Sequence, residues 1–129
     1  MSKLKVTTIA NISDTENPNV TNVINGSAKA WVNFNGTGTV AIRASFNVSS
    51  ITDNGTGLYA VNMTNAIADT NYCVTLSKQN PAGTNVYDIG IHNSVSGSVS
   101  LVAPTTTSFA VMLNASLADS AYVMCAVFR

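Results

Sequence analysis

The sequence predicts an all-β protein, an antiparallel β-sandwich or jelly roll of about eight to nine strands with an extended N-terminal arm. Three observations carry that expectation. Apolar residues recur with a period of two along most of the chain, which places alternate side chains on one face of a strand. Turn sequences such as Asn35-Gly36, Asp53-Asn54-Gly55 and Pro81-Ala82-Gly83 interrupt the pattern at short intervals. Asn, Ser and Thr are abundant from end to end, suiting strands and turns while disfavouring helix interiors. No helix longer than a turn is predicted. The 129 residues suffice for one domain with a core of its own.

Residues 1–27 are expected to form the arm and residues 28–129 the sandwich. Leu4 to Ile9 alternate briefly, and the stretch from Asn11 to Gly26 is then polar, with Pro18 in its middle. Its apolar residues are too few for a core, so Leu4, Val6, Ile9, Val20, Val23 and Ile24 are the candidates for docking the arm on a partner or neighbouring subunit. From Ala28 the chain reads strand, turn, strand. Ala30, Val32 and Phe34 alternate with Trp31 and Asn33. Beyond Asn35-Gly36-Thr37-Gly38, a hairpin turn calling for left-handed residues, Val40, Ile42, Ala44 and Phe46 fall on one face and Ala41, Arg43 and Ser45 on the other. Further strands are expected at Val48 to Thr52, Leu58 to Thr64, Tyr72 to Ser77, Val86 to Ile91, Ser98 to Val102, Phe109 to Leu113 and Tyr122 to Phe128.

An internal echo runs through the second half. Tyr59-Ala60-Val61 followed by Ala68-Asp69-Thr70-Asn71-Tyr72 returns fifty residues later as Phe109-Ala110-Val111 followed by Ala118-Asp119-Ser120-Ala121-Tyr122. Each copy reads as a strand, a connection carrying Ala-Asp, and a strand opening on Tyr. Twin ligand loops are one reading. The simpler one is a repeated corner, with Asp capping the loop backbone and Tyr packed with its hydroxyl bonded.

Charge narrows the function classes. Charged residues make up 9% of the chain and net charge is zero, against roughly 25% charged in an ordinary domain. No footprint for nucleic acid or anionic lipid is present. The longest apolar run, Ala121 to Phe128, is far short of the ~20 residues of a membrane span. The N-terminal Met1-Ser2-Lys3-Leu4-Lys5 lacks the apolar stretch of a signal peptide, so the eight Asn-X-Ser/Thr triplets are expected to reflect composition rather than glycosylation. Cys73 and Cys125 both lie in expected strands and read as small buried hydrophobes.

No catalytic, metal-binding or cofactor-binding residues emerge, and the chain is not expected to be an enzyme. The one histidine, His92, has no serine in a nucleophile-elbow context and reads as a strand-end residue. The six carboxylates are scattered, without the dense acidic loop a calcium site needs or the facing pair of a glycosidase. Trp31, Arg43, Tyr59 and Tyr72 are the candidates for oligomer or ligand contact. Trp31 is the only tryptophan, and Arg43 lies opposite the apolar face of its strand.

The run AKAWVNFNGTGTVAIRASFNVSSITDNGTG, Ala28 to Gly57, closely resembles a module common in tail-fibre-like and other virion proteins of tailed bacteriophages, especially aquatic and cyanobacterial phages. Tyr59 to Tyr72 and the start at Leu4-Lys5-Val6-Thr7-Thr8-Ile9 are similar to the same module. The resemblance implies a small, usually oligomeric β-domain on the outside of a phage particle, assembled in the host cytoplasm, and brings no catalytic residues. Tail fibres generally carry an attachment region and a shaft ahead of such a module, whereas about 27 residues precede it here. The expected role is therefore an accessory surface subunit of capsid decoration or cement type, a homotrimer whose partners are the major capsid protein or tail proteins of the virion. The alternative is a tail-fibre or receptor-binding tip protein that binds host cell-surface glycan, stacking it on Trp31 and loop tyrosines.

Overall fold

In the computed structural model, residues 19–79, 89–91, 103–113 and 118–129 are described. The expected strand at Ser98 to Val102, His92, and the docking candidates Leu4, Val6 and Ile9 lie outside them. Among the described residues, eight strands follow one helix: α1 (Val20–Gly26), β1 (Ala28–Asn35), β2 (Ala41–Phe46), β3 (Val48–Asp53), β4 (Leu58–Met63), β5 (Cys73–Lys78), β6 (Gly90–Ile91), β7 (Ser108–Met112) and β8 (Val123–Phe128). They form two four-stranded antiparallel sheets, ordered β2-β1-β8-β5 (sheet I) and β3-β4-β7-β6 (sheet II). The chain crosses between sheets after β2, β4, β5 and β7, so the pairings β1–β8, β5–β8 and β4–β7 join strands that are not consecutive.

The sheets close on one core. Ala30, Val32 and Phe34 of β1 and Val123, Cys125 and Val127 of β8 meet Tyr59, Val61 and Met63 of β4 and Phe109 and Val111 of β7. Two edge-to-face aromatic pairs, Phe34 with Tyr59 and Tyr72 with Phe109, have ring centroids 5.2 and 6.3 Å apart. Such pairs add about 0.5–1.5 kcal/mol beyond the burial itself.

The alternation expected for β2 is broken. Trp31 pairs with Phe46 and Asn33 with Ala44, but Phe34 pairs with Ile42, which leaves Arg43 as the extra residue of a β-bulge. Val40 and Ile42 pack against the core, while Ala44 and Phe46 stand with Trp31 and Asn33 on the outer surface. The bulge lets the Arg43 guanidinium reach the Ala121 carbonyl at 2.8 Å and lie 4.3 Å over the Tyr122 ring. Those two contacts hold the extra residue in place.

The internal echo is a structural dyad. β4 and β5 come from its first copy and β7 and β8 from its second. β4 lies antiparallel beside β7 with Tyr59 opposite Val111 and Val61 opposite Phe109, so Ala60 and Ala110 pair at the centre. β5 and β8 pair with Cys73 opposite Phe128 and Lys78 opposite Val123. Matched positions thus exchange places across a local two-fold passing through both sheets.

Three further expectations are corrected. Part of the supposed extended arm is helical: Asn19 Oδ1 accepts from Thr21 N at 2.8 Å and caps α1, while Lys29 Nζ donates to the Ile24 and Ser27 carbonyls at its end. The cysteines differ, since Cys125 is buried but Cys73 is exposed on the other side of sheet I, and both are free thiols. Gly36 is required for room rather than for a left-handed turn. A Cβ there would sit 2.7 Å from the Tyr59 hydroxyl and 3.0 Å from the Ser120 carbonyl, and the positive φ of the hairpin falls at Gly38.

Candidate functional site

The two sheets present different outer faces. On sheet II, Asn62 Nδ2 donates to Ser50 Oγ at 3.1 Å and Thr52 Oγ1 at 2.9 Å, and Ser49 Oγ donates to the Asn62 carbonyl. With Ser108 opposite Asn62, this end of the face is a lattice of short polar groups, while Leu58, Ala60, Ala110 and Met112 continue it along β4 and β7, Leu58 and Ala110 being buried. Sheet I differs in exposing large aromatic rings. Its register places Phe46, Trp31, Ala126 and Thr75 in one row and Ala44, Asn33, Met124 and Ser77 in the next, with Phe128 and Cys73 beyond. Phe46 is 55% exposed and Trp31 41%.

Of the two strands at the centre of sheet I, β8 is apolar on both sides, while β1 turns Trp31 and the polar Asn33 outward. β8 turns Val123, Cys125 and Val127 inward and Met124, Ala126 and Phe128 outward. A strand apolar on one face belongs to a sheet with one wet side, whereas two apolar faces belong to a strand covered on both. No charged residue stands in the two central rows. Charges occupy the margins: Lys29 bonded to the end of α1, Arg43 over Tyr122, and the exposed pair of Arg129 with Asp69. Asn33 Oδ1 in the second row is shielded from solvent and accepts no hydrogen bond.

The candidate residues divide. Trp31 lies in the middle of this face and Arg43 at its edge, beside Tyr122. Tyr59 is not at the surface at all. Its ring is 1% exposed, and its hydroxyl hydrogen is shared between Asp119 Oδ1 at 2.6 Å and the Gly36 carbonyl at 2.7 Å. Burial first, and the bond to Asp119 second, push its ionisation above the ordinary phenol range. Asp119 also accepts from Gly57 N at 2.8 Å, tying the β3–β4 turn to the corner before β8. Tyr72 is half-buried, its hydroxyl donating to the carbonyls of Thr105 at 2.9 Å and Ser108 at 3.2 Å. Val23 and Ile24 on α1 are exposed, and no residue of that helix is buried.

The repeated corner therefore holds in its first copy and diverges in its second. Asp69 caps its own loop by accepting from Asn71 N at 2.8 Å, and the Arg129 guanidinium beside it holds its carboxyl below the usual range. Asp119 instead reaches a turn sixty residues back, and Tyr122 faces outward under Arg43. Among the described residues no group of three His, Cys, Asp or Glu side chains is placed to hold a metal ion, and no helix is long and apolar enough to cross a membrane.

Phe46, Met124, Phe128 and Tyr122 belong to the face without having been singled out from sequence. The unbroken apolar run of β8 was a usable signal for Met124 and Phe128. Phe46 was hidden by the bulge, which reverses its side relative to Ile42. Comparison of the chain with family models, curated proteins and solved structures yields no match in any of the three.

Proposed function

We propose that the chain is a non-enzymatic structural protein of a tailed-phage virion, an accessory surface subunit of capsid decoration or cement type. It packs as an oligomer, a homotrimer in this reading, contacts the major capsid protein and reinforces the particle. The observation that carries the structural role is the uncharged aromatic face of sheet I. A face of this kind is a contact surface rather than a solvated one. The virion setting rests on the resemblance of Ala28 to Gly57 to phage particle proteins. The segment ahead of β1, with Val23 and Ile24 facing outward from α1, supplies the means of gripping a neighbour. No cofactor, nucleic acid or membrane enters this reading.

Copy number in purified virions, measured by quantitative mass spectrometry against the major capsid protein, tests it. Near-stoichiometric amounts are expected. A few copies per particle would move the protein to the tail. One observation favours that second reading, a receptor-binding tip for host glycan: Trp31 and Tyr122 are each about two-fifths exposed, as sugar-stacking rings must be. Binding of the isolated protein to host surface glycan, lost in Trp31→Ala, is its test.

A further inference from the structure

We infer that the outer face of sheet I is where one copy of this chain meets another, with Trp31 and Phe46 at the centre of the contact. This deepens the reading of the chain as an assembling subunit by naming the surface and its occupant.

The first argument is area. Four strands about 4.8 Å apart and roughly 20 Å long span on the order of 400 Å² in projection. Side-chain relief from Trp31, Phe46, Met124 and Phe128 brings this toward the ~800 Å² each partner contributes to a stable interface. The second argument is charge. A second copy brings the same uncharged rows against Trp31, Ala126 and Met124, so no charge is buried without a counter-ion. The chain's net charge is zero, and copies approach without mutual repulsion. A strongly acidic or basic partner would gain nothing from this surface. The marginal cation Arg43 is already engaged by the Tyr122 ring and the Ala121 carbonyl. The third argument is the contrast within the molecule. The exposed outer positions of β3 on sheet II are Ser50 and Thr52, bonded to Asn62, whereas the exposed outer positions of sheet I include the rings of Phe46 and Trp31.

Trp31 is the single tryptophan of the chain and reports on the contact directly. The experiment is sedimentation velocity of the full chain over a concentration series, with Trp31 emission and acrylamide quenching on the same samples. A dimer or trimer with blue-shifted, shielded Trp31 emission is expected. Phe46→Asp should weaken self-association by at least ~30-fold, as loss of a central aromatic anchor does, and should expose Trp31. Ser50→Asp, on the outer face of sheet II, should leave both readouts unchanged. A monomer up to ~100 µM with Trp31 exposed overturns the inference, because a contact of micromolar strength would be nearly complete there. A monomer with Trp31 shielded overturns it in favour of the chain's own N-terminal segment. An oligomer indifferent to Phe46→Asp places the contact elsewhere. None of these results bears on copy number in the virion, so the two readings fail separately.

Discussion

At the scale of single residues, the corner built by Tyr59, Gly36 and Asp119 is tightly constrained by hydrogen bonds and by close packing. The Tyr59 hydroxyl is buried against a carbonyl and a carboxylate, so its removal takes a donor from the Gly36 carbonyl and leaves Asp119 Oδ1 with Gly57 N alone. Tyr59→Phe is expected to cost about 1–3 kcal/mol in denaturant unfolding. Gly36→Ala forces a methyl group against Tyr59 and the Ser120 backbone, and should destabilise by more than ~1 kcal/mol. The sign of the pH effect follows from Tyr59 as well. Its folded pKa lies above the ordinary 10.0, so above that pH the unfolded chain releases a proton that the native chain keeps. Stability therefore falls as pH rises past about 10, and the Cys125 thiol, pushed up to about 12 by burial, adds to the same slope from about pH 9. Urea titrations across this range should show a shallower alkaline loss in Tyr59→Phe than in the parent. An unchanged slope would remove Tyr59 from the titration. Sequence marked Asp119 only as a member of an echo, and Tyr59 as a member of it and as a candidate surface contact. Their mutual bond spans sixty positions, and no local pattern encodes such a meeting.

At the scale of elements, the bulge between β1 and β2 decides what faces out. Period-two reading placed Ile42 and Phe46 on one side, because alternation counts residues and a bulge adds one without leaving a mark in composition. The observed register predicts a sharp inequality between two phenylalanines twelve positions apart. Phe34 is fully buried, and Phe34→Ala should cost about 3–5 kcal/mol in the monomer, as loss of a core ring does. Phe46→Ala should change monomer stability by no more than ~0.5 kcal/mol. Comparable losses for both, measured under dissociating conditions, would mean that the register is wrong. The strands themselves were legible because β4, β7 and β8 carry strong apolar runs bounded by turn residues. Helix α1 was not. Seven residues held by the Asn19 cap and Lys29, with nothing buried, give no hydrophobic periodicity to read. For the same reason, replacing Val20–Gly26 with a flexible linker should leave the unfolding midpoint of the isolated sandwich unchanged.

At the scale of the whole molecule, the chain combines a dyad of strand–corner–strand units with almost no charge. The dyad explains how a short motif, read twice, yields the central pair of sheet II, β4 beside β7, and the edge pair of sheet I, β5 beside β8. It also explains why the face was legible only in part. Sheet I reaches full width when β1 and β2 are added to β8, and that pairing joins residues about ninety positions apart. The scarcity of charge makes a prediction of its own about assembly. Raising salt from about 0.1 to about 1 M shortens the screening length from ~10 to ~3 Å, which abolishes attraction between exposed charges and leaves apolar contacts intact. If copies meet through Trp31, Phe46, Met124 and Phe128, the dissociation constant should move by less than about threefold over that range, and sulfate should tighten it. If they meet instead through the margins, where Lys29, Arg43 and Arg129 stand, binding should weaken by tenfold or more. Sedimentation at the two salt concentrations separates these outcomes without any substitution, because it asks which kind of surface the molecule uses to hold itself.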